Sequence, residues 1–192
     1  MAIQKISIEN LLELSRQYPV LDVRSPGEYV HAKIPGAYGL PLFTDEERKI
    51  IGTAYKKESR EKAIKLGLDF FGVKMRSIVE AAEKIIKEFK PDKTSNSEPQ
   101  TSNFLIVHCW RGGMRSSAVA WLLNFYGFEV YLLEGGYKSF RHWVLQQFER
   151  EYEFNIVGGY TGSGKTAILK SLVAKFAEKH QKACYVLLKN WA

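Results

Sequence analysis

The sequence predicts an α/β protein: a three-layer domain on a mostly parallel sheet, followed by the start of a second α/β domain. Three observations carry that expectation. Short apolar, β-like runs alternate with helical periodicity over about the first 150 residues. Two capping-box patterns, Ser25-x-x-Glu28 and Thr44-x-x-Glu47, mark helix starts within that alternation. A further strand, glycine loop and helix begin after Glu153. In order, the expected strands are 5–8, 20–23, 37–40, 104–108 and 129–132. Helical patterns cover 9–17, 45–56, 60–66, 73–89, 116–126 and 139–151. Pro26 follows Ser25 at the favoured first position of a helix. The polar, proline-containing segment 91–103 reads as a disordered surface insertion that lengthens the loop before the fourth strand. The helical pattern ends near Glu151 and a new strand begins at Phe154, so the expected domains are 1–150 and 153–192.

A chain of 192 residues can bury one good-sized core and part of a second. Its 45% hydrophobic and 26% charged residues are ordinary for a globular protein and exclude a low-complexity chain. No apolar run approaches the ~18 residues of a membrane span. The N-terminus lacks a basic region followed by a long apolar one, so neither secretion nor membrane insertion is expected. Cys109 and Cys184 cannot form a disulfide framework, which fits a reducing, cytoplasmic setting, and no Cys/His spacing suits a metal. The formal charge of +7 favours an anionic partner. The basic residues Lys56, Lys57, Arg60, Lys62, Lys65, Lys74 and Arg76 are interleaved with Glu58, Glu61 and Asp69, which fits a solvated helical face equally well.

The chemistry concentrates in residues 107–116, VHCWRGGMRS. An apolar strand delivers His108 and Cys109 into a loop of Trp110, Arg111, Gly112, Gly113 and Met114 that closes on Arg115, and Ser116 opens a helix. Paired glycines let backbone N–H groups turn inward, and the helix N-terminus and Arg115 add positive charge. Such a cradle lowers the pKa of Cys109 and makes it a candidate nucleophile, with Arg115 as its anion-holding partner. As a bare pattern, His-Cys-x-x-Gly-x-x-Arg-Ser matches the tyrosine phosphatase signature, in which the thiolate attacks phosphorus. The same cradle can hold a persulfide or perselenide on Cys109.

A second motif, Gly159-Tyr160-Thr161-Gly162-Ser163-Gly164-Lys165-Thr166, fits the Walker pattern between a strand and a helix at 167–179. Its amides would cradle a diphosphate, with Lys165 reaching across and Thr166 able to touch Mg²⁺. Gly159, Gly162, Ser163, Gly164, Lys165 and Thr166 are the candidate diphosphate-binding residues. Cys184, in the strand-like run 183–188, reads as a buried hydrophobe, and Trp191 as a packing residue.

Three flanking segments, Asp22-Val23-Arg24, the stretch from His31 to Ala37, and Glu134-Gly135-Gly136-Tyr137, resemble the rhodanese family in its usual order. That resemblance implies a rhodanese-like sheet, a chalcogen-carrying Cys109, and an ion pair between Asp22 and Arg24 that fixes a strand end. The span from Cys109 to Arg115 is longer than in common sulfurtransferase loops and suits a larger anion. A rhodanese domain followed by a P-loop domain resembles the bacterial tRNA 2-selenouridine synthase family. Leu40-Pro41-Leu42, Asp45-Glu46-Glu47-Arg48, Gly52-Thr53-x-Tyr55-Lys56 and Glu134-Gly-Gly-Tyr-Lys138 carry the match over roughly residues 15–170. The resemblance implies exchange of sulfur for selenium in 2-thiouridine at the tRNA wobble position, through a geranylated thio intermediate. Selenophosphate and geranyl diphosphate are then co-substrates, no tightly bound cofactor is expected, and a nucleotide with Mg²⁺ is a second candidate for the P-loop. The family's P-loop part continues through an Asp-Leu-Glu-Gly segment and a His-Arg-Gly motif that this sequence lacks. The chain is therefore expected to be truncated there, with a separate chain supplying the C-terminal half. A stand-alone sulfurtransferase, an inactive remnant or binding module, and a cysteine-dependent phosphatase are the alternatives.

Overall fold

In the computed structural model, which describes residues 3–90, 103–151, 160 and 162–178, five short strands form one wholly parallel sheet. They are β1 (Gln4–Ile6), β2 (Val20–Asp22), β3 (Tyr38–Gly39), β4 (Phe104–His108) and β5 (Glu129–Leu133), in the order β1-β5-β4-β2-β3. Parallel neighbours require crossovers, and the helices supply them. In chain order these are α1 (Ile8–Leu14), α2 (Pro26–His31), α3 (Asp45–Lys57), α4 (Arg60–Gly72), α5 (Met75–Glu88), α6 (Met114–Tyr126) and α7 (Gly136–Phe148).

The central strand β4 is buried on both faces, so its side chains divide between two cores. Leu105 and Val107 join Val119, Leu123, Ile78 and Ala82 from α6 and α5. Ile106 joins Leu11, Tyr137 and Phe140 from α1 and α7 on the other face. The α5 pattern shows why: Ile78, Val79, Ala82 and Ile85 fall on one stripe, and that stripe is buried. The result is the expected three-layer α/β fold.

Strand order places the site. After β2 the chain moves toward β3, and after β4 it moves the other way toward β5. The carboxyl ends of β2 and β4, paired at Asp22 and His108, therefore flank a switch point, where α/β sheets leave a crevice for ligands. Asp22 and Arg24 occupy one side of it and Cys109 the other.

Some boundaries differ from expectation. α2 forms where Ser25 and Pro26 signal a start; six residues are too few for periodicity to reveal it. α4 continues past residue 66 through Gly67 to Gly72, because Phe71 is anchored in the core. α6 begins at Met114 and not at Ser116, since Gly113 is extended and caps it. α7 begins at Gly136, three residues before position 139, on left-handed glycines (φ +68° at Gly135 and +58° at Gly136). The insertion 91–102, the strand expected from Phe154, and Cys184 and Trp191 lie outside the described residues.

The chain divides into two compact units, Met1–Glu149 and Arg150–Ala192. In the second, α8 (Lys165–Glu178) follows a loop in which Gly162 and Gly164 have φ of +84° and +79°. No helix among the described residues is long and apolar enough to cross a membrane.

The ion pair at the end of β2 anticipates a stability effect. Arg24 is 1% exposed and its Nη2 lies 2.6 Å from Asp22 Oδ2. Arg24→Met leaves Asp22 as a buried charge without its cation, so urea unfolding is expected to show a loss of about 3–5 kcal/mol. A loss under about 1 kcal/mol would mean that water reaches the pair.

Candidate active site

The loop after β4 is shaped from behind by the first turn of α7. Helix N-termini carry unsatisfied N–H groups, and here two of them find acceptors in the loop. Tyr137 N–H donates to the Cys109 carbonyl (2.8 Å), and Lys138 N–H to that of Trp110 (3.0 Å). Those carbonyls therefore point toward α7, which turns the Arg111 amide toward the sulfur, where the Ser116 amide from the first turn of α6 joins it. The approach is close. A Cβ on Gly136 would lie well inside van der Waals contact with the Cys109 carbonyl oxygen, and one on Gly112 (φ +65°) would lie 2.7 Å from the Leu133 oxygen. Only glycine fits either position.

Cys109 is 3% exposed. Burial is the largest influence on its thiol and opposes ionisation. It is outweighed by the Ser116 hydroxyl, the amides of Arg111 and Ser116, and the charge of Arg115, so the pKa falls below that of an ordinary cysteine. Ser116 Oγ lies 3.1 Å from Sγ and 3.1 Å from the Gly113 carbonyl. In the thiol state the hydroxyl can donate to Gly113 while accepting from sulfur. In the thiolate state it turns to donate to sulfur.

Arg115, the expected anion holder, is engaged. Its Nη1 donates to Glu28 Oε2 at 2.8 Å, and Arg48 Nε approaches the same oxygen at 2.9 Å. Burial raises the Glu28 pKa, but Arg115, the Ser25 amide and Arg48 more than offset it, so Glu28 stays ionised. Met114 is 56% exposed in the first turn of α6. Trp110 packs on Tyr137, centroid to centroid 5.6 Å.

Beneath the loop, Arg24 donates to both Asp22 oxygens and to the Ala32 carbonyl (2.6 Å), and its guanidinium lies 4.1 Å from the Tyr137 ring centroid. His108 is fully buried. Burial holds its pKa below the usual value and keeps it neutral, against the pull of Asp22 at 3.8 Å. Its Nδ1 lies 3.4 Å from the Cys109 carbonyl; because a carbonyl only accepts, the proton belongs on Nδ1.

Residues 7–142 match the model of the rhodanese-like domain. The chain belongs to the rhodanese-like family. It is 39% identical over 158 residues to the tRNA 2-selenouridine synthase of Sulfurovum sp. (strain NBC37-1), covering 80% of this chain and 40% of that protein. It is 36% identical over 177 residues to the protein of the same name from Bdellovibrio bacteriovorus, covering 90% and 43%. The chain thus spans about two-fifths of the length of these curated relatives. A crystal structure of the N-terminal domain of a Clostridium difficile 630 protein, described as an ATP/GTP binding protein, superposes with a TM-score of 0.63. It is 34% identical, and the match covers 75% of this chain and 99% of that one.

Within this rhodanese-like domain the structure brings Cys109, Arg111, Gly112, Gly113, Arg115 and Ser116 together. Glu28, Gly136 and the first amides of α7 join them without having been singled out from the sequence for this role. The Glu28 capping box was the only local sign. In the second unit, Lys165 Nζ folds back onto the Tyr160 carbonyl (2.6 Å), Ser163 and Thr166 are exposed, and Gly159 lies outside the described residues.

Two measurements follow from the loop. Iodoacetamide labelling of Cys109 should reach half its maximal rate below the ~8.5 of a free thiol, because reactivity is lost only as pH falls through the lowered pKa. Ser116→Ala removes a donor to sulfur and should move that midpoint upward; an unmoved midpoint would remove Ser116 from the account. Gly136→Ala should weaken labelling at neutral pH and lower the melting temperature, since both the φ and the contact are forbidden to alanine.

Proposed function

We propose that this chain supplies the selenium-transfer site of a tRNA 2-selenouridine synthase, acting on 2-thiouridine at the wobble position. The observation that supports this most is the lowered thiol pKa of Cys109 in a loop whose amides face the sulfur, set in a chain similar to that family over 80–90% of its length. Geranyl diphosphate first alkylates the base sulfur, forming a C–S bond and releasing diphosphate, which makes the sulfur a leaving group. Selenium then displaces the geranyl thiolate at carbon 2. Gly159, Gly162, Ser163, Gly164, Lys165 and Thr166 hold the diphosphate.

Electron counting indicates where Cys109 acts. Selenium in selenophosphate is already at the selenide level, so its transfer needs no oxidant. The thiolate attacks phosphorus, the P–Se bond breaks with its pair on selenium, and water later releases phosphate from sulfur. Arg115 and the loop amides hold the phosphoryl oxygens as charge builds on them. The second reading, a stand-alone sulfurtransferase, is favoured by the completeness of the loop within Met1–Glu149. There the thiolate attacks the outer sulfur of a thiosulfate-type donor, an S–S bond forms, and sulfite leaves.

Phosphate release from selenophosphate and sulfite release from thiosulfate, measured side by side, separate the readings. Both are expected to vanish in Cys109→Ser, and Arg115→Ala should slow the favoured one by roughly 100-fold or more. Release from selenophosphate that persists in Cys109→Ser would overturn the assignment of Cys109. Turnover of thiosulfate alone would favour the second reading.

A further inference from the structure

We infer that the outward face of α3 is an RNA-docking strip, which lays the backbone of a single-stranded tRNA loop beside the Cys109 site. The inference rests on the tRNA-modifying reading above. The strip begins at the site itself: Arg48 of α3 and Arg115 of α6 bind the same Glu28 oxygen. From Arg48, Gly52 and Tyr55 follow at four and seven residues on one helical face, flanked by Lys49 and Lys56. Eight residues of helix advance the strip by about 12 Å.

The composition of this face is unexplained by packing. A Cβ on Gly52 would meet nothing within 4 Å, so no neighbour demands glycine in a helix interior it weakens. What a bare Cα permits is close approach of another backbone. Tyr55 is 57% exposed and makes no ring contact or side-chain hydrogen bond among the described residues. Three neighbouring cations are paired locally: Lys62 with Glu58, Lys74 with Glu47 and Arg76 with Glu80. Lys49 and Lys56 have no carboxylate within ion-pair distance among the described residues. The acidic residues at the start of α3 are partly engaged as well, Asp45 by the Gly27 amide and Glu47 by Lys74, while Glu46 stays exposed beside Lys49. Unpaired cations, an exposed aromatic ring and an open glycine in a row match a single-stranded nucleic acid, whose phosphates take the cations and whose bases stack on the ring. An acidic protein, the other candidate for such a surface, is tested by the salt slope and the tyrosine variant.

Fluorescence anisotropy with a labelled anticodon stem-loop and the full chain tests the strip. Lys49→Gln/Lys56→Gln should weaken binding about tenfold or more near 0.1 M salt and reduce the slope of log affinity against log salt by about two. Tyr55→Ala should weaken it about fivefold or more with the slope unchanged. Lys84→Gln/Lys87→Gln, which makes the same charge change on α5, should have little effect. Equal loss in the α5 control, or no loss in the α3 variants, would overturn the strip while leaving tRNA as the substrate. Absence of any binding by the unaltered chain would overturn both. Iodoacetamide labelling of Cys109, unchanged in the α3 variants, shows that the site itself stays intact.

Discussion

The site depends on two hydrogen bonds that involve no side chain. When Tyr137 and Lys138 donate their amides to the carbonyls of Cys109 and Trp110, they fix which way the first two peptides of the loop face. A peptide plane has one carbonyl and one N–H on opposite sides, so binding the carbonyls outward commits the amides to the interior. The sulfur is then stabilised by groups that were oriented during folding. This arrangement needs α7 to start directly against the loop, which explains the left-handed backbone at both Gly135 and Gly136.

The second requirement is a fixed floor. Burying Asp22 and Arg24 carries a desolvation cost that their attraction offsets only with good geometry and further partners. Those partners are present: both carboxylate oxygens accept from Arg24, Ala32 adds a carbonyl, and Tyr137 lies under the guanidinium. The pair thereby joins the end of β2, the segment after α2, and the helix that backs the loop. It links the three pieces of chain that must be in register for Cys109 to sit correctly. His108, neutral between Asp22 and the Cys109 carbonyl, occupies the same layer.

Much of this was legible in the sequence because it is encoded locally. β4, the glycine loop and the helix after it lie within one continuous stretch, and the Asp22–Arg24 pair spans three residues. What sequence reading missed was contact at long range. Glu28 lies 87 positions from Arg115, and nothing local distinguishes it from any glutamate in a capping box. The glycines at 135 and 136 could be recognised as family residues, but the reason for them, the approach of one backbone to another, exists only in three dimensions. The start of α6 differs from expectation for a simpler reason: Gly113 reads in sequence as loop, although its extended backbone is that of a helix cap.

The Glu28–Arg115 pair changes the electrostatic account of the thiolate. A guanidinium beside a cysteine would ordinarily be credited with most of its acidity. Here Arg115 is the smallest of the influences named on Cys109, behind the Ser116 hydroxyl and two amides, and its charge is compensated by Glu28. Short-range donors lower the Cys109 pKa more than the longer-range cation does. The division suits catalysis by differential binding. An arginine committed to the thiolate would stabilise the ground state, whereas one held on a neighbouring carboxylate can transfer to an oxyanion that develops later. In the proposed reaction Glu28 would keep Arg48 and the Ser25 amide as partners if Arg115 turned to the phosphoryl oxygens. Glu28 thus holds Arg115 and Arg48 on one carboxylate oxygen at the edge of the loop.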